Sequence, residues 1–318
     1  MPDETKLSIV DEIFRECPAP VLLDTAGKYG AGLALEVIGR SLRKLNVPQS
    51  HVIISNKLGW YRIPMSGSQP TFEPGVWAGL VSDAESRISY EGILQSYEQG
   101  LSFLGPEYPS QLVSVHDPDE YLAAAETPAD RNRRFEDILG AYRALFELKS
   151  KGVVQAVGIG AKNWRVIRQI AERVDLDWVM FACSLTVYSH PPELVNYVTH
   201  LRTRGVGMIN SAIFHAGFLT GGKWFDYRQP DHVRDQKLFV WRDKFFEQCR
   251  AFELKPADVC VQFGLAVEGI TAVALNTEKP SRIKENLASA FAEVPEKFWE
   301  ALKDEKLISR EFPVGRAG

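Results

Sequence analysis

The sequence predicts an α/β fold of repeated strand–helix units, and three observations carry that expectation. Short apolar runs of strand length alternate with longer segments of helical spacing seven times along the 318 residues. Several of the short runs lack polar alternation, as strands covered by helices on both faces do. No long flexible linker and no repeat divides the chain, so 1–318 reads as a single domain. Units of this kind either close into a barrel or open into a doubly wound sheet.

The elements follow in order. The chain opens with a helix over 4–16, where Leu7, Val10, Ile13 and Phe14 share a face. The strand candidates are PVLLD (20–24), HVIISNK (51–57), QLVSVH (111–116), VVQAVGIG (153–160), DWVMFACS (177–184), VGMINSA (206–212) and TAVALN (271–276), all rich in β-forming residues. Between them, Leu33, Val37, Ser41 and Leu45 form one helical stripe, and Ile93, Tyr97, Leu101 and Leu104 another. Further helices are expected over 131–150, 163–173, 192–204, 234–254, 256–268 and 280–291. Gly105-Pro106 stops one helix, and Pro256 sits where a first helical turn tolerates it. The stretch 60–82, WYRIPMSGSQPTFEPGVWAGLVS, has no clear period and reads as a long loop insertion, a lid or pocket wall.

Composition narrows the function. With 45% hydrophobic and 25% charged residues the chain is globular in type, and a net charge of -4 argues against a nucleic-acid partner. No apolar run approaches the roughly 18–20 residues that cross a bilayer, and the start lacks the layout of a signal peptide. Cys17, Cys183, Cys249 and Cys260 are scattered without pairing, as reduced thiols of a cytoplasmic protein are. No metal cluster is suggested by His or Cys spacing.

Polar groups recur at the ends of three consecutive strand candidates. Asp24 ends the first, Lys57 the second and His116 the third, and Tyr29 follows Asp24 by five residues in DTAGKYG. In a parallel barrel these residues share the rim where strand C-termini meet. Singly, each has an ordinary reading as a helix cap, a surface charge, a structural imidazole or a packed loop aromatic.

Six segments in register resemble the aldo-keto reductase family: LLDTAGKYGAGLALEVIGRSL, ISNKLG, SYEGILQSYEQGLSFLG, LVSVHDPD, GFLTGG and KPSRIKEN. The HDPDE continuation, AVGIGAKNW and the aromatic insertion look most like the branch of aldose 1-dehydrogenases acting on L-fucose or D-galactose. The resemblance implies a (β/α)8 TIM-type barrel whose first strand is lacking at this N-terminus. It implies an NAD(P)-dependent oxidoreductase moving hydride between nicotinamide and an aldose C1 hydroxyl, giving a lactone, or a small carbonyl. Asp24, Tyr29, Lys57 and His116 would form the catalytic tetrad. Tyr29 would be the acid/base, Lys57 would lower its pKa, Asp24 would hold Lys57, and His116 would orient the substrate oxygen. A phenol near pKa 10 is a poor base at neutral pH, and a charge at contact distance contributes about 4 kcal/mol at an effective dielectric of 20.

The same resemblance places Ser211, Phe214, Gly217, Leu219, Asn276, Arg282 and Asn286 along the cofactor; the family's Ser-Asn pair after the fifth strand is replaced by Gly160-Ala161-Lys162-Asn163, where Asn163 would substitute if the loop is shifted. In the long loop Trp60, Arg62 and Trp77, with Tyr61 and Phe72 beside them, are candidates for the sugar pocket, since aromatic faces pack against apolar sugar faces; the alternative is that they anchor the loop to the barrel. Asn276 stands where the family commonly has a basic residue, and Glu278 would repel a 2′-phosphate. This favours NAD, while Lys279 and Arg282 leave NADP open. The alternatives are a catalytically impaired barrel acting as a binding or regulatory protein, and a barrel enzyme using Lys57 as a Schiff-base amine.

Overall fold

Period-two alternation and strand register decide which side chains meet at the sheet face. The computed structural model of the protein describes residues 1–226 and 228–314. It divides into two compact units, one of Met1–Ala161, Arg165–Trp178 and Thr277–Ile283, the other of Lys162–Trp164, Val179–Asn276 and Lys284 onward.

In the first unit α1 (Asp3–Glu16) precedes β1 (Val21–Ala26), α2 (Leu33–Lys44), β2 (Val52–Leu58), β3 (Trp60–Pro64), β4 (Ser82–Ser86), α3 (Tyr90–Leu104), β5 (Leu112–His116), α4 (Pro118–Ala123), α5 (Pro128–Ser150) and β6 (Ala156–Ala161). Strands β1, β2, β5 and β6 pair in that order, all parallel. Asp24 is opposite Ser55, Lys57 opposite Ser114, and His116 opposite Gly160. Paired residues of a parallel ladder face the same side, and residues two apart share a face. Asp24, Ser55, Lys57, Ser114 and His116 therefore lie on one face. The opposite face supplies Val52 and Ile54 to a core with Leu35, Leu42, Val47, Leu104 and Tyr108.

The ends of these helices follow local chemistry. Ser89 accepts from the Gly92 amide and Thr127 from the Asp130 amide, each capping a helix N-terminus. Gly105, at φ 98°, ends α3 as expected. The α2 stripe differs from expectation: Leu35, Gly39, Ser41 and Leu42 are buried, while Leu33, Val37 and Leu45 are half-buried. The cause is Gly39, where a Cβ would lie 2.0 Å from the Leu104 carbonyl oxygen, so the end of α3 packs directly on the α2 backbone.

The expected 60–82 loop is also corrected. It begins and ends in an antiparallel pair, β3 with β4, running from Trp60 opposite Ser86 to Pro64 opposite Ser82. In β4 Asp83 is buried and accepts from the Thr71 and Ala84 amides; Phe72 packs with Ala31 and Ala84. Five-residue strands bearing Pro and Arg leave too short a pattern to register as a period.

Next in the chain come α6 (Trp164–Ala171) and β7 (Trp178–Ala182). The second unit continues with α7 (Pro192–Thr203), β8 (Gly207–Ser211), α8 (Gln236–Ala251), α9 (Pro256–Leu265) and β9 (Ala272–Ala274). After them come α10 (Arg282–Ser289) and α11 (Glu296–Asp304). Pro256 occupies the first turn of α9, as its sequence position implies. Strands β8 and β9 are parallel, with Ser211 opposite Ala274. Phe181, Phe218, Phe245, Phe263 and Phe298 are fully buried in this unit. Helices α4 and α11 were not expected from the sequence. Among the described residues no helix is long and apolar enough to cross a membrane.

Candidate active site

In the first unit the turn after β1 brings Tyr29 back over the sheet face. Its amide donates to the Ala26 carbonyl at 3.1 Å, and Gly30, Ala31 and Gly32 follow in left-handed conformation at φ 60°, 51° and 85°. At Gly32 both the φ and the space demand glycine, because a Cβ would meet the Phe103 ring at 2.5 Å.

Asp24 accepts at Oδ1 from Ser55 Oγ at 2.9 Å and pairs at Oδ2 with the Lys57 ammonium. Lys57 Nζ also donates to the Tyr29 hydroxyl at 3.3 Å and sits 5.1 Å from the ring centroid. The Tyr29 and His116 rings meet edge to face, with centroids 5.4 Å apart and planes at 89°. All four residues of the expected tetrad are thus brought together.

Electrostatics correct one expectation. Burial raises the Tyr29 pKa, and this outweighs the opposing pull of Lys57; Asp24 and Asp117 push in the same direction as burial. Lys57 was expected to bring the phenol below its usual value, but burial of the phenol disfavours phenolate more than one ammonium stabilises it. Lys57 itself is buried, which disfavours its charge, yet Asp24 and Tyr29 more than offset this and hold it above the ordinary lysine value.

Sequence reasoning missed two neighbours. Lys28 is 3% exposed, and its ammonium reaches Glu73, Asp117 and Glu120 at 2.9, 3.2 and 3.3 Å. Asp117 Oδ2 also lies 3.4 Å from His116 Nε2. The available signal was a lone lysine inside the small-residue turn and the acidic run after His116. Two of the partners are 89 and 92 residues away in the chain.

The residues expected at the sugar lie in the same unit. Trp60 packs 6.0 Å from Phe72, which lies 6.3 Å from Trp77, and the Trp77 indole donates to Glu73 at 2.7 Å. Arg62 donates to Glu36 at 2.6 Å and to the Ala31 carbonyl at 2.5 Å, with its guanidinium 4.0 Å over Phe103. Tyr61 carries the Arg87 guanidinium at 4.0 Å.

Most residues expected at the cofactor lie in the second unit. Ser211 Oγ donates to the Phe181 carbonyl at 3.2 Å, Phe214 is half-buried and Leu219 is buried. Gly217, at φ 88°, begins the short turn Phe218–Thr220. A Cβ at Gly217 would meet only Thr220 Oγ1 at 4.0 Å, so the backbone is open to close approach. Asn163 and Asn276 are exposed and Asn286 is half-buried, while Arg282, in the first unit, is exposed at the start of α10. Ser184 Oγ and Asn210 Oδ1 are buried polar atoms without a hydrogen bond, acceptor and donor capacity that a polar ligand can use.

A second cluster in this unit was not marked by sequence spacing. One ligand atom each of Cys183, His215 and Asp226 lies within 4.8 Å of the others. His215 bonds through both ring nitrogens, to Asp226 and to Thr186, each at 2.8 Å. Burial keeps the Cys183 thiol protonated far above its usual range. The three groups read as a closed hydrogen-bonded set.

Comparison with known proteins gives a consistent likeness. Residues 1–305 match the model of the Aldo/keto reductase family. The chain is 26% identical over 302 residues to pyridoxal 4-dehydrogenase of Microbacterium luteolum, covering 90% of this chain and 84% of that protein. It is 23% identical over 304 residues to D-threo-aldose 1-dehydrogenase of a Pseudomonas species, covering 90% and 83%. An aldo-keto reductase of Bacillus halodurans, solved in its holo form, superposes with a TM-score of 0.69 at 18% identity, covering 97% of this chain and 88% of that one. This likeness shows the fold, a (β/α) barrel.

Proposed function

The chain belongs to the Aldo/keto reductase family, and from that premise we propose that it is an NAD(P)-dependent oxidoreductase acting on an aldose C1 hydroxyl or a small carbonyl. The observation that carries this reading is Lys57, whose ammonium bridges Asp24 and Tyr29 while His116 abuts the same phenol. A bound nicotinamide would supply or accept the hydride. Everything else falls to side chains of this chain.

In the reducing direction Tyr29, kept protonated by burial, donates its proton to the oxygen on which charge develops. The phenolate left behind is stabilised by the Lys57 ammonium, which Asp24, itself bonded by the Ser55 hydroxyl, holds in place. Oxidation runs the same proton path backwards, with Tyr29 as base. His116 donates a hydrogen bond to the substrate oxygen and fixes its orientation. Relatives named for dehydrogenation of an aldose and of pyridoxal support the oxidative direction.

Asn163, Ser211, Phe214, Gly217, Leu219, Asn276, Arg282 and Asn286 would hold the dinucleotide. The open backbone at Gly217 and the unbonded Ser184 hydroxyl suit such a polar ligand. Glu278 and Asn276 favour NAD over its 2′-phosphorylated form. Trp60 and Trp77 offer aromatic faces to the apolar face of a sugar, and Arg62 holds that wall through Glu36. A Schiff-base role for Lys57 is disfavoured by its pairing with Asp24, which favours the ammonium over the free amine that such chemistry needs.

The test is to incubate the purified chain with NAD or NADP and a panel of aldoses. Reduced cofactor should form, faster with NAD. No reduced cofactor with any aldose, and no oxidised cofactor with small aldehydes, would overturn the proposal.

A further inference from the structure

Lys28 and Asp117 lie against the four-residue constellation without belonging to it. The Lys28 ammonium gathers carboxylates from three separate segments: Glu73 between β3 and β4, Asp117 after β5, and Glu120 in α4. The Trp60 ring covers it at 5.0 Å. Asp117 Oδ2 is shared, 3.2 Å from Lys28 Nζ and 3.4 Å from His116 Nε2. The Asp117 backbone is left-handed at φ 45°, a conformation that Asp adopts more readily than most residues.

Resting on the function proposed above, we infer that Lys28 and Asp117 are positioning residues for His116: Asp117 keeps on Nε2 the hydrogen that His116 offers to the substrate oxygen, and Lys28 offsets the charge of Asp117 so that the imidazole stays uncharged. A carboxylate beside one ring nitrogen favours the tautomer protonated there. Standing alone it would also favour imidazolium, adding a second cation beside Lys57 and a second acid beside Tyr29. The buried ammonium offsets that pull. Burial opposes the charge on Lys28, but Asp117, Glu73 and Glu120 outweigh it and keep the side chain charged well above neutral pH.

Within the first unit, charged and titratable groups face His116 from two elements. Tyr29 faces it from the turn after β1, with Lys57 and Asp24 behind. Asp117 faces it from the turn before α4, with Lys28, Glu120 and Glu73 behind. Strand β6 sets Gly160 opposite it and carries no charged residue.

The test is the NMR titration of the His116 ring in the full chain without substrate, with the signal assigned by its loss in His116→Gln. Lys28→Met should raise the pH at which His116 titrates by about one unit, and Asp117→Asn should lower it by a similar amount. Lys28→Arg should restore the wild-type value. A merely structural role would not shift the two variants in opposite directions. Thermal melts establish that the variants are folded; if Lys28→Met does not fold, Asp117→Asn, which conserves shape, carries the test. A His116 titration unmoved in folded Asp117→Asn would overturn the inference. Because no turnover is needed, that result is separable from failure of the proposed activity. Where turnover is seen, the acid limb of kcat/KM should move with the His116 titration.

Discussion

Lys57 Nζ donates to the Tyr29 hydroxyl at 3.3 Å while its charge is balanced by Asp24. The lysine thus stabilises phenolate once it forms, although burial keeps the resting group a phenol.

Removing that ammonium should be costly. Lys57→Met leaves the phenol with burial and Asp24 acting against its ionisation, so Tyr29 should titrate higher still. Positioned proton transfer contributes about 10²–10⁴-fold, and kcat/KM for aldose oxidation should fall within that span.

The raised Tyr29 pKa fixes the sign of the pH dependence. Carbonyl reduction needs the phenol, so its rate should stay level from neutrality to the ordinary phenol pKa near 10 and decline only beyond it. Aldose oxidation needs the phenolate and should climb with pH over the same range. Paired pH profiles in both directions check this, and a reduction rate that already declines near neutrality would contradict it.

Helix packing offers a test away from chemistry. A Cβ at Gly39 would meet the Leu104 carbonyl oxygen, carbonyl carbon and Cα at 2.0, 2.6 and 2.7 Å. Those are backbone atoms and cannot rotate aside. Gly39→Ala should destabilise the first unit by about 1–3 kcal/mol, read as a lower urea midpoint with unchanged slope.

Asp83 anchors the excursion between β3 and β4 through the Thr71 and Ala84 amides. Burial disfavours its charge, but those amides more than compensate and hold the carboxyl below its usual pKa. With the folded value depressed, this stabilisation is present above the unfolded carboxyl value near 3.9 and is lost as pH falls through the folded value. Asp83→Asn should expose 65–81 to limited proteolysis at neutral pH, and cleavage no faster than wild type would contradict the role.

The legible parts of the molecule were those written locally. The strands around VLLD, HVIIS and LVSV declared themselves by apolar runs, and register places Asp24, Lys57 and His116 on one face. The β3–β4 pair stayed hidden because its strands are short and lie 17 residues apart, between Pro64 and Ser82. The Lys28 cluster stayed hidden because its meaning lies in partners far along the chain. The direction of the Tyr29 shift was misjudged because burial cannot be weighed before the side chains are packed.

The most direct test of the central claim pairs turnover with cofactor binding in Tyr29→Phe. The aromatic ring remains beside His116 and only the hydroxyl bonded to Lys57 is lost. Turnover should fall by about 10²-fold or more, while dinucleotide affinity, followed by quenching of protein fluorescence, stays that of the unaltered protein. A Tyr29→Phe chain that oxidises aldoses at the original rate would contradict the account.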